Sequence, residues 1–330
     1  MRLCKPHFEI LEQQPGLEGI YKQIELVGRT CYKSEDKITE DSAKPFIDRM
    51  TKSQHYAMLE HGTVYLKIPY NLIHRFTHIG LCDKYIRNPY TRCNVGYEIT
   101  EKALNFRSEF GSQVIEFLAV TTNLRVLIEN GWEKDLQYLC EPTDYHERRI
   151  AVKFICDRGV SHEFVRHRVF SFAQESTRYC NYSKDKFGNE LTFIIPCWCD
   201  DIPDNLQLKD NIEVDRFVWG TDNLANAAIE NKIVKRKVSK FTQRFLYEMI
   251  GGEDTYIGLI AAGYKPQEAR ALLPNALKTE LVMTGFISDW EHFFSLRALG
   301  TTGAPHPQAK ELAEPLMKEF ERRGLLCTTQ

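Results

Sequence analysis

The sequence predicts an α+β fold, a small, mostly antiparallel sheet flanked by several helices. Three observations predict it. Alternating apolar stretches of strand length are few. Helical periodicity is widespread, but strands and helices do not take turns as a doubly wound sheet requires. The glycines nowhere form GxGxxG or GxxxxGK[ST], so the dinucleotide fingerprint and the P-loop of α/β nucleotide binders are both missing.

The elements follow in order. Thr39 is placed to cap a helix whose apolar face is Ala43, Phe46, Ile47 and Met50, a 3.6-residue rhythm. Thr63 to Pro69 alternate, with Val64, Leu66 and Ile68 on one side, as in a half-buried strand. From about Tyr70 to Tyr145 the pattern is irregular; loops around Cys82, Pro89, Cys93 and Gly96 precede a helix expected from Ser112 to Asn130, ended by Gly131. Ile150, Val152, Phe154 and Cys156 mark a strand, Gly159 a turn, and Ser161 the cap of a short helix. Leu191 to Ile195 is a further strand closed by Pro196. A long helix is expected from about Val214 to Met249, with Val238, Phe241, Phe245 and Met249 as its later stripe. Pro266 suits the first turn of a helix that Pro274 stops. Ser288-Asp289-Trp290-Glu291 has the form of a capping box. A last helix carries Ala309, Leu312, Ala313, Leu316, Met317 and Phe320 up to Gly324, with Pro315 as a kink.

The 330 residues suffice for one large domain or two ordinary ones, and no repeat, low-complexity tract or Pro/Gly/Ser linker marks a boundary. The chain therefore reads as one domain over 1–330. Hydrophobic residues at 43% and charged residues at 27% allow a substantial core. A net charge of −2 argues against a protein dedicated to coating nucleic acid, so an anionic ligand must be met by a local cluster of cations. The N-terminal stretch has no apolar signal-peptide core, and no apolar run reaches the roughly 20 residues that span a bilayer. Ten scattered cysteines fit reduced thiols. The expectation is a soluble, cytoplasmic protein without a membrane partner.

Several cations break the structural pattern. Trp290, Phe293 and Phe294 define an apolar face whose next position is Arg297. A guanidinium there needs an anionic or strongly polar partner; pairing with a carboxylate is the structural explanation. Arg168 shares a helical face with Phe164 and Val165, and Arg270 sits in a helix otherwise committed to packing. The densest feature runs from Arg166 to Tyr179, where four potentially cationic groups alternate with Phe, Ser and Tyr in a turn-and-helix segment. Arginine forks match phosphate oxygens, and aromatic faces stack on flat rings, so a nucleotide is a reasonable ligand.

The spacing Arg166-His167-Arg168, seven residues, Ser176, then Arg178-Tyr179, resembles the signature of flavin-dependent thymidylate synthases. Other landmarks of that family stand in order. His55 to Glu60-His61 is similar to its His-x-x-x-x-Glu-His segment, and Arg270 to Pro274 to its Arg-x-x-Leu-Pro helix. Phe293 to Arg297 resembles its Phe-Leu-x-Leu-Arg segment, and His306-Pro307-Gln308 its His-x-Gln. The likeness covers roughly residues 15–70, 148–200 and 255–325, which makes 70–145 an inserted segment.

The resemblance implies conversion of dUMP to dTMP, with methylenetetrahydrofolate as carbon donor and FAD reduced by NADPH as hydride source. It also implies a homotetramer with active sites between subunits. Carried over by position, it assigns Arg297 and Ser176 to catalysis. It assigns Glu163, Arg166, Gln174, Glu175, Ser176, Thr177, Arg178, Arg270 and Arg297 to dUMP. It assigns His55, Ala57, Arg166, His167, Arg168, Gln174, Ser288 and His292 to FAD, and it implies no metal. Four positions depart from the family pattern. Ala173 and Gln174 stand where Asn-Glu is usual, Glu163 where Gln is common, and Ala57 where Thr follows the first histidine.

Rival readings use other residues. Pro196-Cys197 resembles the nucleophile of the other, unrelated type of thymidylate synthase, but nothing local lowers the thiol pKa. A zinc site from Cys180, Cys197 and Cys199 lacks paired CxxC spacing. The alternative from a different class is a nucleic-acid-binding module that uses Arg166 to Tyr179 as its platform.

Overall fold

Alternation at Arg149–Asp157 sends Val152, Phe154 and Cys156 to one side and Ala151 to the other, and this strand pairs antiparallel with Lys278–Phe286 over its full length. The computed structural model describes residues 1–69, 79–99, 114–202 and 239–326. The first half runs β1 (Arg2–Cys4), β2 (His7–Leu11), α1 (Gly16–Tyr32), α2 (Ala43–Lys52), β3 (Thr63–Pro69), α3 (Ile79–Ile86), β4 (Arg92–Ile99), β5 (Val114–Asn123) and α4 (Leu124–Asn130). The second half runs β6 (Arg149–Asp157), α5 (Arg158–Phe164), β7 (Ser171–Gln174), β8 (Thr192–Ile194), α6 (Lys240–Ala261), α7 (Pro266–Ala269), β9 (Lys278–Phe286), α8 (Ile287–Phe294) and α9 (Pro307–Arg322).

The fold is α+β. Its central sheet is antiparallel throughout, in the order β2-β6-β9-β7, with β7 at one edge. One face of the sheet packs on α5, α8 and α9 through Phe154, Phe164, Trp290, Phe293, Leu316 and Phe320. Trp290 is wholly buried and meets Phe170 with ring centroids 4.7 Å apart. Truncating a side chain of that size in a packed core costs about 3–5 kcal/mol. The other face receives α1 through Val27 and Cys31 against Ala151, Ala173 and Val282. A second antiparallel sheet, β3-β5-β4, lies on α1 and α2 through Ile24, Phe46, Val64, Leu66 and Val120. The short parallel pair β1–β8 is covered by α6.

Several boundaries differ from those read in the sequence. Helix α2 begins at Ala43; Thr39 lies in the preceding turn, its amide donating to Ser42 Oγ (2.8 Å). The helix expected over 112–130 is, in its described part, strand β5 followed by α4. Its β-branched Val114, Ile115, Val120, Thr121 and Thr122 favour a strand that β3 and β4 flank on both sides. Only the last turns are helical, capped by Asn123 and ended by Gly131 at φ 69°. Asp157, not Ser161, caps α5 by accepting from the Val160 amide (2.8 Å), so Gly159 is inside the helix. α6 starts at Lys240 behind Ser239 and runs on to Ala261; Val214 to Val238 lie outside the described residues. Phe241 is exposed, so the apolar stripe of α6 starts at Phe245. The box before α8 uses Asp289, which accepts from the Phe286 amide (3.1 Å), while Ser288 gives its hydroxyl to Glu147 (2.6 Å). Residues 166–179 hold no helix. They form a turn, the edge strand β7 and a second turn, because Ser171 to Gln174 pair with β9.

Candidate nucleotide site

Edge strand β7 separates two clusters of the residues singled out in the sequence. The strand's four residues, at ~3.3 Å each, extend roughly 13 Å between the turn that carries His167 and the turn that carries Ser176.

The first cluster gathers Glu163, His167, His292 and Arg297. Arg297 lies on a π-helical turn (Ser295–Leu299) that continues α8, which brings its side chain back over α5. Its Nη1 donates to Glu163 Oε2 (2.6 Å), its Nη2 to the Glu163 carbonyl (3.0 Å) and its Nε to His167 Nε2 (3.1 Å). The anomaly in the apolar stripe is thus resolved by a carboxylate, as the structural explanation required. Because His167 Nε2 accepts, the ring proton belongs on Nδ1 and the imidazole is neutral. Burial, then Arg297 and His292, lowers its pKa to about 4, which agrees. The His167 and His292 rings lie 6.2 Å apart.

Arg166 and Arg168 flank that buried histidine in the turn and are exposed, with no carboxylate partner among the described residues. Arg168 does not share a helical face with Phe164, because α5 has already ended.

The second cluster gathers Ser176, Thr177, Arg178 and Arg270. The Ser176 amide donates to the Cys31 carbonyl at the end of α1 (2.9 Å), and its Oγ accepts from the Arg178 amide (3.3 Å). Arg270, exposed at the end of α7, donates from Nη1 to Thr177 Oγ1 (3.3 Å). Arg178 is exposed and lies over Tyr179, 5.3 Å from its ring centroid.

A network that sequence reasoning missed anchors this turn. Lys278 Nζ donates to Glu175 Oε2 (3.0 Å) and Glu280 Oε1 (2.7 Å), and Lys33 Nζ reaches Glu280 (2.7 Å). Burial opposes ionisation of Glu280, yet Lys278 and then Lys33 pull its pKa down to about 2. The other oxygen of Glu175 accepts from Tyr182 Oη (2.8 Å). Glu175 is therefore buried and fully engaged by protein. Gln174 is engaged too, donating to Ser161 Oγ (2.8 Å) and Thr279 Oγ1 (3.2 Å). No motif in the sequence marks it, because Lys278 and Glu280 open a strand that becomes evident only through its pairing with β6 and β7.

His55 and Ala57 are exposed beside and within the 3-10 turn Tyr56–His61, and Ser288 is held at Glu147. A cavity lies elsewhere, between β2, β6 and the start of α1. Cys197 is exposed, and burial followed by Glu311 raises its pKa, the reverse of an activated thiol. Cys180 and Cys199 are buried in the apolar core under α6.

Residues 148–323, more than half of the chain, match the family model described as thymidylate synthase complementing protein. The chain belongs to that family. The match includes both clusters and, apart from Lys33, the network that anchors the second. Among curated proteins the chain is similar to flavin-dependent thymidylate synthases. That of Mycobacterium avium is 30% identical over 141 residues, 43% of this chain and 46% of the relative. That of Corynebacterium efficiens is 33% identical over 143 residues, 43% of this chain and 46% of the relative. That of Pyrococcus furiosus is 24% identical over 168 residues, 51% of this chain and 52% of the relative. The chain thus spans about half the length of the curated relatives it matches. Among solved structures, a UMP/dUMP methylase from Streptomyces cacaoi bound to 5-Br UMP is 13% identical, with a TM-score of 0.39 over 97% of this chain and 91% of that one. That likeness is too loose to carry weight.

Proposed function

We propose that this protein is a flavin-dependent thymidylate synthase that methylates dUMP to dTMP. Methylenetetrahydrofolate is the carbon donor and NADPH-reduced FAD the hydride source. The observation that carries the reading is the placement of Arg297, the arginine of the family-like Phe-Phe-x-Leu-Arg segment, in a three-point hold by His167 and Glu163. A guanidinium fixed before substrate arrives is the preorganised charge that stabilises an anion developing on a pyrimidine ring.

The two clusters divide the work. Arg178, Arg270, Ser176 and Thr177 suit the nucleotide phosphate, since two exposed guanidiniums and two hydroxyls meet in one turn. Arg297 suits the base, where its charge lowers the energy of an enolate-like uracil. The residues around His167 fit a flavin. Arg166 and Arg168 are exposed cations without carboxylate partners among the described residues, able to take a pyrophosphate, and between them lies a neutral imidazole buried against Phe293, with ring centroids 5.1 Å apart. Bound there, FAD would supply the hydride, chemistry that no side chain of the protein provides. The chain's own residues would bind, orient and exclude water. Glu175 and Gln174, spent on protein partners, act by fixing the turn rather than by meeting ligand.

Each arginine of the open face has an apolar neighbour that is more than half exposed: Val169, Tyr179, Leu272 and Leu299. Such a surface suits cover by another copy of the chain. It supports a homotetramer whose neighbours close the site; the chain reads as one domain over 1–330 with 70–145 as an insertion within it. Among the described residues no helix is long and apolar enough to cross a membrane.

Reconstitution tests the reading. Protein incubated with FAD and desalted should keep a flavin absorbance near about 450 nm, and dUMP should change that spectrum. Protein that leaves the column colourless after reconstitution would contradict it.

A further inference from the structure

A cavity of about 630 Å³ opens between β2, β6, the start of α1 and the segment 139–142, away from both clusters. Its size is that of a small-molecule site. At its wall stands Arg149, 8% exposed. Its Nη1 donates to the Glu60 carbonyl (3.0 Å) and its Nη2 to Ser171 Oγ (3.2 Å), both neutral acceptors. Among the described residues its Nε has no partner, and no carboxylate lies within ion-pair distance of it. Burial lowers its pKa to about 10, against the opposing pull of Tyr65, then Glu60 and Asp289. A buried guanidinium without a counter-ion is among the more expensive arrangements in a protein, and it is relieved when an anion binds beside it.

Neighbouring groups point the same way. His61, 1% exposed, borders the cavity; its Nδ1 is taken by Thr284 Oγ1 (2.8 Å) and its Nε2 has no partner among the described residues. In the tautomer in which the Thr284 hydroxyl donates to Nδ1, Nε2 carries the ring proton, and a ligand there would share the ring with the Phe172 backbone. Tyr65 Oη accepts from the Arg149 amide (3.2 Å), which leaves the phenol proton unused by that bond. Arg148 stands exposed at the mouth. Of the two acids that border the cavity, Glu12 is committed to Arg323 (2.7 Å) and Glu141 faces solvent. The remaining walls include Ile10, Leu139, Pro142 and Ile150, which suit an apolar or flat body rather than a bare ion.

We propose that this cavity is a second ligand site, separate from the nucleotide face, for a small organic oxyanion whose acid group is held by Arg149 and His61 and whose body lies against Ile10, Leu139 and Ile150. The site takes a phosphate or a carboxylate by the same contacts.

Calorimetric titration with phenyl phosphate, and in parallel with benzoate, tests it. At least one probe should bind the wild-type protein and bind equally well to Arg270→Ala, which alters only the other face. Arg148→Glu, at an exposed position, should weaken that binding at least tenfold, and Arg149→Met should abolish it. Should Arg149→Met fail to fold, Arg148→Glu still decides. The proposal is overturned if neither probe binds, if binding disappears in Arg270→Ala, or if Arg148→Glu binds as wild type does. None of these readings depends on thymidylate synthesis, so the second site stands or falls by itself.

Discussion

Replacing Glu163 by Gln removes one negative charge from beside Arg297 and leaves the geometry almost intact. The guanidinium keeps its bond to the Glu163 carbonyl (3.0 Å) and its bond to His167 (3.1 Å), and the amide oxygen of Gln can accept where the carboxylate did. What changes is net charge. The ion pair at 2.6 Å involves side chains 19% and 32% exposed, so it lies between a buried pair and a solvated one. Exposed pairs are worth about 0.2–1 kcal/mol and hydrogen bonds to charged groups about 1.5–3 kcal/mol. An intermediate value near ~1.4 kcal/mol corresponds to tenfold in affinity. If Arg297 serves an anionic pyrimidine, Glu163 competes for it, and Glu163→Gln should tighten dUMP binding about tenfold. Calorimetric titration of dUMP at moderate salt reads this directly. Affinity unchanged or weakened would refute the competition, a weakening meaning that Glu163 itself contacts the nucleotide.

Other outcomes follow from the same geometry. Arg297→Ala should keep the fold, since the residue is half-buried at a helix end, yet lose dTMP formation by at least a hundredfold; near-normal turnover would remove its assigned role. Arg178→Lys should raise the dUMP dissociation constant several-fold because an ammonium cannot present a bidentate fork, and equal affinity would count against phosphate contact there. Cys197→Ala should leave dTMP synthesis unchanged; complete loss with flavin still bound would install the thiol as nucleophile. His61 and His167 titrate near about 3 and about 4 in the folded chain, below the ordinary histidine value. The unfolded chain therefore takes up more protons as pH falls. Stability is full above about pH 6.5 and lost between there and pH 4, by roughly 2 kcal/mol per histidine at pH 5. Denaturant midpoints from pH 7 to 5 check the slope, and a flat profile would contradict the neutral imidazoles.

The arginine frame was legible because its residues are ones that packing cannot explain. Arg297 continues an apolar stripe, and Arg166 to Tyr179 alternate cations with aromatics in a slightly acidic chain. Their spatial grouping was not legible. Nothing local says that a π-helical turn brings Arg297 onto α5, or that β7 keeps the two clusters apart. Strand β5 was misread as helix because its apolar run has no clear period, and only pairing with β3 and β4 decides it. The caps moved by one to four positions because Asp157, Ser42 and Asp289 compete with nearby Ser161, Thr39 and Ser288, and tertiary partners such as Glu147 settle which is used. Arg149 and His61 drew no notice as a pair. They are distant in sequence, and that Arg149 Nε and His61 Nε2 are left without a partner among the described residues is visible only in three dimensions.

The central claim is tested most directly by tritium release from C5-labelled dUMP, with FAD, NADPH and methylenetetrahydrofolate omitted in turn. Release into water that needs FAD and methylenetetrahydrofolate, and that vanishes in Arg297→Ala, is the expected result. Release that persists without flavin, or no release from protein that has bound both FAD and dUMP, would contradict it.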